Sequence, residues 1–115
     1  MKALKNLTQL TSKVVIYVPG TNGTSKKANT AKAVKATARF LSELFGGATA
    51  SKAAGYWVSE QEGLVEESTT TVYAFCLPKQ LEAQIDQVVS YCANMKEELN
   101  QEAIGLEVNG AMYFV

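Results

Sequence analysis

Six apolar residues, Leu81, Ile85, Val88, Cys92, Met95 and Leu99, step along the second half of the chain by four and three. That spacing keeps them on one side of a 3.6-residue helix, and a stripe so regular must be buried against something. Pro78 suits the first helical turn, where its missing N–H costs nothing. The same seam could serve a coiled coil. Inside one small domain it is expected to pack on a sheet.

The rest of the chain supplies that sheet. Val14-Val15-Ile16-Tyr17-Val18 is a compact β-branched run ended by Pro19-Gly20, and it reads as a buried strand. After a loop rich in turn formers, Asn29 or Thr30 is a suitable N-cap. Val34, Ala38, Leu41 and Phe45, joined by Leu44, then recur at helical spacing, with Lys32, Lys35 and Arg39 opposite and Gly46-Gly47 as the stop. Residues 48–58 read as a weaker strand bent at Gly55, Ser59 to Gly63 as a polar hairpin loop, and Leu64 to Cys76 as the strongest strand. Near the end, Asn109-Gly110 between alternating apolar residues predicts a tight hairpin.

The order is β-α-β-β-α-β with an extra terminal strand. This is the split βαβ, ferredoxin-like unit of the α+β class, in which two helices cover one face of an antiparallel sheet. Residues 1–12 are expected to be a loosely docked arm, and residues 13–115 a single domain. Tyr17, Tyr56, Trp57, Tyr73, Phe75 and Phe114 are candidates for an aromatic surface on the uncovered face.

Formal charge sums to zero over 115 residues, but it is divided by position. Residues 1–58 carry nine basic residues against the single Glu43, and residues 59–115 carry ten carboxylates against Lys79 and Lys96. Such a split points to an oppositely charged partner, or to halves that neutralise one another. The chain has no histidine, which excludes Ser-His-Asp and Cys-His catalysis and removes the commonest metal ligand. Cys76 and Cys92 lie in apolar patterns and read as buried hydrophobes. No cofactor and no metal are expected. With no apolar run of membrane length and no signal-like start, a cytoplasmic location is expected.

Three groups of residues could bind something. The loop after the first strand, together with Lys26, Lys27, Lys32, Lys35 and Arg39, could hold an anion or nucleic-acid phosphates. The loop lacks the Gly-Lys-Ser/Thr ending of a P-loop, and no RNA-recognition signature accompanies the aromatics. Glu60, Glu62, Glu66 and Glu67 form an acidic hairpin that suits a protein contact better than catalysis. Tyr56-Trp57, beside them, is a candidate anchor.

The stretch Leu44-Phe45-Gly46-Gly47-Ala48-Thr49-Ala50, with Gly55-Tyr56-Trp57-Val58, Gly63-Leu64-Val65-Glu66-Glu67 and Gln101-Glu102 near the end, resembles a group of short uncharacterised bacterial, phage and plasmid proteins. The resemblance covers roughly residues 13–115 and brings no established activity. It implies a mobile-element protein that inhibits a host defence protein by binding it. The leading expectation is therefore a non-enzymatic, homo-oligomeric interaction protein with a protein partner. Nucleic-acid binding through the basic helix, or capture of a small anionic ligand, are the alternatives.

Overall fold

A computed structural model gives residues 1–23, 26–27 and 30–115, with Lys26 and Lys27 described by their backbone alone. After a short 3-10 turn at Lys2–Leu4, the elements run β1 (Ser12–Pro19), β2 (Thr21–Asn22), β3 (Lys26–Lys27), α1 (Ala31–Phe45), β4 (Thr49–Ser59), β5 (Gly63–Cys76), α2 (Pro78–Glu98), β6 (Gly105–Val108) and β7 (Ala111–Phe114). The main sheet has the order β4-β5-β1-β6-β7, and every pairing in it is antiparallel. Without β7 and the tiny β2–β3 ribbon, this is the ferredoxin-like sandwich. No helix among the described residues is long and apolar enough to cross a membrane.

Strand alternation sends Val14, Ile16, Val18, Val72, Ala74, Cys76 and Leu106 to one face, where they meet Leu41 and Phe45 of α1 and Val88, Cys92 and Met95 of α2. Both helices thus cover the same face. They also touch each other: Phe40 stacks on Tyr91 with ring centroids 4.1 Å apart, and the Tyr91 and Thr37 hydroxyls share a hydrogen bond of 3.0 Å. Thr37 is fully buried, and its hydroxyl donates to the Ala33 carbonyl at 2.7 Å. The helical pattern counted only apolar residues, so it passed over this threonine.

Local chemistry sets the ends of the elements. The N-cap of α1 is Thr30, without a side-chain cap bond, while Asn29 lies outside the described residues. The last turn of α1 closes with the Gly46 N–H bonded to the Ser42 carbonyl at 2.8 Å. At α2, the Gln80 side chain accepts the Leu77 N–H at 2.8 Å and Pro78 fills the first position. The β6–β7 turn places Asn109 at φ 50° and Gly110 at φ 85°, the doubly left-handed turn that Asn-Gly adopts at low cost.

One feature of the shape is not visible in the element order. β4 pairs with β5 from Thr49↔Tyr73 out to Ser59↔Gly63, but β1 covers β5 only from Thr69 to Cys76. The outer half of the hairpin therefore stands beyond the sheet as a two-stranded ribbon. With it the molecule measures 54 × 28 × 21 Å and its radius of gyration is 15.6 Å. A spherical domain of this length would have about 13 Å.

Candidate functional site: the cleft at the base of the ribbon

Gly20 follows β1 and its N–H bonds the Ser68 carbonyl at 3.0 Å. A Cβ on residue 20 would stand 2.7 Å from that oxygen, so only glycine lets the chain pass here. This close approach brings the end of β1 and the start of α1 against the middle of the hairpin. Between them lies an open cleft of about 470 Å³, lined by Thr30, Val34 and Lys35 from the α1 side and by Lys52, Ser68 and Thr70 from the sheet. That volume suits a small organic ligand. Two ammonium groups and three hydroxyls around it favour a carboxylate or another anionic group.

The register carries this surface onto the ribbon. Lys52 pairs with Thr70, Ala54 with Ser68 and Tyr56 with Glu66, so all six share the helix-side face. Tyr56 and Glu66 stand one side-chain step, ~7 Å, beyond the cleft wall. The Tyr56 hydroxyl donates to Glu66 Oε1 at 2.8 Å. The bond to a carboxylate, then its charge, hold the phenol above its ordinary value of 10.0. On the opposite face of the ribbon, the Trp57 indole N–H donates to Glu67 Oε1 at 3.2 Å. Tyr56, Trp57, Val58 and Leu64 are all more than half exposed, so the ribbon offers apolar surface on both sides.

The two basic and acidic groups singled out in the sequence are thus partly sorted. Lys35 lines the cleft. Lys32 and Arg39 stay exposed along α1, and Arg39 pairs with Glu43 of its own helix at 3.7 Å. The side chains of Lys26 and Lys27 lie outside the described residues. Glu66 and Glu67 accept bonds from the neighbouring aromatics, while Glu60 and Glu62 are exposed at the hairpin tip. Among the described residues Arg39–Glu43 is the one ion pair, so ion pairs do not tie the basic half to the acidic half. Nor do these residues hold any cluster of His, Cys, Asp or Glu that could bind a metal. Lys52, Ser68 and Thr70 were not singled out in the sequence. Their signal is the strand register, which a single strand read alone does not contain.

The uncovered sheet face is occupied by its own side chains. Lys13 Nζ lies 4.6 Å from the Tyr73 ring centre and 5.3 Å from that of Phe75, and those rings meet edge to face at 6.1 Å. Tyr17 donates to Glu107 Oε1 at 3.0 Å. Desolvation, then this bond, raises the Tyr17 phenol above its ordinary value. Of the six aromatics expected on this face, Tyr17, Trp57, Tyr73, Phe75 and Phe114 share its register, while Tyr56 belongs to the helix side.

No protein-family model matches the chain. No curated protein matches its sequence. In structure it is similar to a phage SAM lyase solved with S-methyl-5'-thioadenosine, with a TM-score of 0.64 and 16% identity over 95% of this chain and 94% of that one. It is also similar to a phage SAM lyase in the apo state, with a TM-score of 0.66 and 18% identity over 96% of this chain and 93% of that one. The likeness spans both chains nearly end to end.

Proposed function

We propose that this chain binds S-adenosylmethionine in the cleft between α1 and the β4–β5 ribbon and cleaves it as a lyase, releasing S-methyl-5'-thioadenosine. The observation that carries this reading is the continuous surface from Lys35 and Lys52 to the Tyr56–Glu66 pair. It joins a cationic cradle to an aromatic carboxylate site two side-chain steps along the strand from Lys52 and one from Ser68. The full-length likeness to two phage SAM lyases supports the choice of ligand.

The substrate has complementary parts. Its amino-acid carboxylate matches the ammonium groups of Lys35 and Lys52 and the hydroxyls of Ser68 and Thr70. Its sulfonium is a cation, which the Glu66 carboxylate attracts directly and the Tyr56 ring face attracts through its quadrupole. The bond between sulfur and Cγ of the amino-acid chain breaks, and its electron pair passes to sulfur. The thioether leaves neutral, so the positive charge on sulfur disappears in the transition state. The remaining four-carbon unit is completed without water, as a lyase requires. Either its own carboxylate oxygen closes on Cγ to a lactone, or Cβ loses a proton to Glu66 and an alkene forms. Histidine-free chemistry suffices for both routes.

The test is incubation of the purified chain with S-adenosylmethionine and chromatography of the products. S-Methyl-5'-thioadenosine should appear with the wild-type chain and fall sharply with Glu66→Gln. The second product, lactone or unsaturated amino acid, identifies the route. A chain that neither binds nor consumes the compound would overturn the reading.

A second reading keeps the chain as a non-enzymatic protein that inhibits a host protein by binding it. The exposed Trp57, Val58 and Leu64 on the projecting ribbon favour this. It requires host-protein capture that Trp57→Ala abolishes, in a chain with no turnover.

A further inference from the structure

A second apolar surface lies on the far side of the domain from the cleft. An open groove of about 460 Å³ runs between α2 and the β6–β7 edge, lined by Ile85, Val89, Leu106, Tyr113, Phe114 and Val115. Val89, Tyr113 and Phe114 are 41%, 54% and 75% exposed, which is unusual for a cluster of this size on a small domain. The groove has a charged border. Glu82 and Asp86 are exposed on the outer side of α2, Glu82 one turn before Ile85 and Asp86 further round, where it also borders a hollow lined by Phe40 and Tyr91. Neither has an ion-pair partner among the described residues. The cations of α2 are Lys79, at its first turn, and Lys96, two turns beyond Val89.

The N-terminal arm has the opposite character. Leu4, Leu7 and Leu10 recur every third residue, and all three are largely exposed. Lys2 and Lys5 lie between and before them. The arm does not use the groove of its own chain. Leu10 sits with Phe45, Gly46, Tyr73 and Phe75, on the β5 and α1 side of β1, whereas the groove lies on the β6–β7 side. The arm thus has apolar side chains without a cover and the groove has a cover's shape without an occupant.

We propose that the arm of one copy docks in the α2–β7 groove of a second copy, with Leu4 and Leu7 against Val89 and Tyr113 and with Lys2 and Lys5 facing Glu82 and Asp86. The assembly is head to tail, because arm and groove are different surfaces of the same chain. It also gives the charge division of the sequence a role: the basic end of one copy meets the acidic second half of the next. The pairing is independent of the ligand assigned to the cleft.

Cross-linking of full-length variants tests it. Leu7→Cys and Val89→Cys are made as separate proteins, mixed and gently oxidised, with the native Cys76 and Cys92 buried and out of reach. Mass spectrometry should find a disulfide joining a peptide that contains position 7 to one that contains position 89, necessarily between two chains. Lys2→Glu with Lys5→Glu should reduce that product several-fold, and Glu82→Lys with Asp86→Lys in the partner should restore it. Absence of the 7-to-89 link overturns the proposal. So does a doubly substituted chain that closes the bond within itself, because the arm then covers its own groove. Links between two copies of position 89 alone also overturn it, since two grooves would then face each other.

Discussion

Tyr56 and Glu66 are joined at 2.8 Å across a stretch of hairpin that no third strand covers. A two-stranded ribbon is marginal in water on its own. A hydrogen-bonded cross-strand pair at that place therefore orders the ribbon as well as presenting a phenol and a carboxylate together. Both groups stay accessible on the face that leads to the cleft, which separates this pair from an ordinary core contact.

Replacing Tyr56 by Phe should leave the fold intact, since the side chain is mostly exposed. If the phenol takes part in S-adenosylmethionine cleavage, turnover should fall on the order of 10²-fold, the scale of a single positioned proton-bearing group. The raised phenol also has a sign. Tyr56 gives up its proton at higher pH than an ordinary tyrosine, so an alkaline loss of activity due to it is displaced upward and should be missing from the pH–rate profile of Tyr56→Phe.

Lys35→Ala and Lys52→Ala should each weaken S-adenosylmethionine binding roughly 10-fold, the worth of a charge-assisted hydrogen bond. S-Methyl-5'-thioadenosine has no carboxylate, so its affinity should change little. Calorimetric titration with the two compounds checks the difference. An equal loss for both would mean that the lysines do not face the amino-acid end.

Gly20→Ala should destabilise the domain by about 1–3 kcal/mol, because the added methyl meets a backbone oxygen and cannot be accommodated by a side-chain rotation. The clash is with the Ser68 carbonyl at 2.7 Å. Urea unfolding gives the stability, and ligand titration at a temperature where the variant is folded shows whether the cleft walls have moved apart.

Burial pushes the Cys92 thiol from 9.0 up to about 12. The folded state therefore holds its proton more tightly than the unfolded chain does. This contribution to stability is complete below pH 9 and is lost as pH rises toward 12, at about 1.4 kcal/mol per pH unit. Unfolding curves at increasing pH should show the decline. Cys92→Ala should lower stability at neutral pH by leaving a cavity, yet show a shallower alkaline slope. Cys92 should also resist thiol reagents until the chain unfolds.

Much of the fold was legible in the residue pattern because its signals are local. The 4-3 stepping from Leu81 to Leu99 marks α2, the alternation of Val72, Ala74 and Cys76 marks the buried face of β5, and Asn109-Gly110 marks the last turn. Thr37 escaped because a buried hydroxyl that bonds its own helix carries no hydrophobic signal. Tyr56 and Glu66 were noticed as residue types, but as separate anchors in a protein-binding patch. Their pairing depends on the hairpin register. Lys52, Ser68 and Thr70 were overlooked because nothing near them in the chain distinguishes them from solvated strand residues.

The sequence by itself determined the alternation of helix and strand, the α+β class and the division of charge, since these follow from short-range periodicity and composition. Only the tertiary structure decided that β1 stops short on β5 and leaves the ribbon free, that Gly20 brings the start of α1 against the hairpin, and that the cleft opens onto Tyr56 and Glu66. The physical reason is range. A helix or strand is selected by neighbours a few residues apart, whereas this site is assembled where residues as distant in the chain as Gly20 and Ser68 come within one side-chain length. In this chain the charge division acquired a location in the same way: Lys35 and Lys52 in the cleft, Glu66 on the ribbon beyond it.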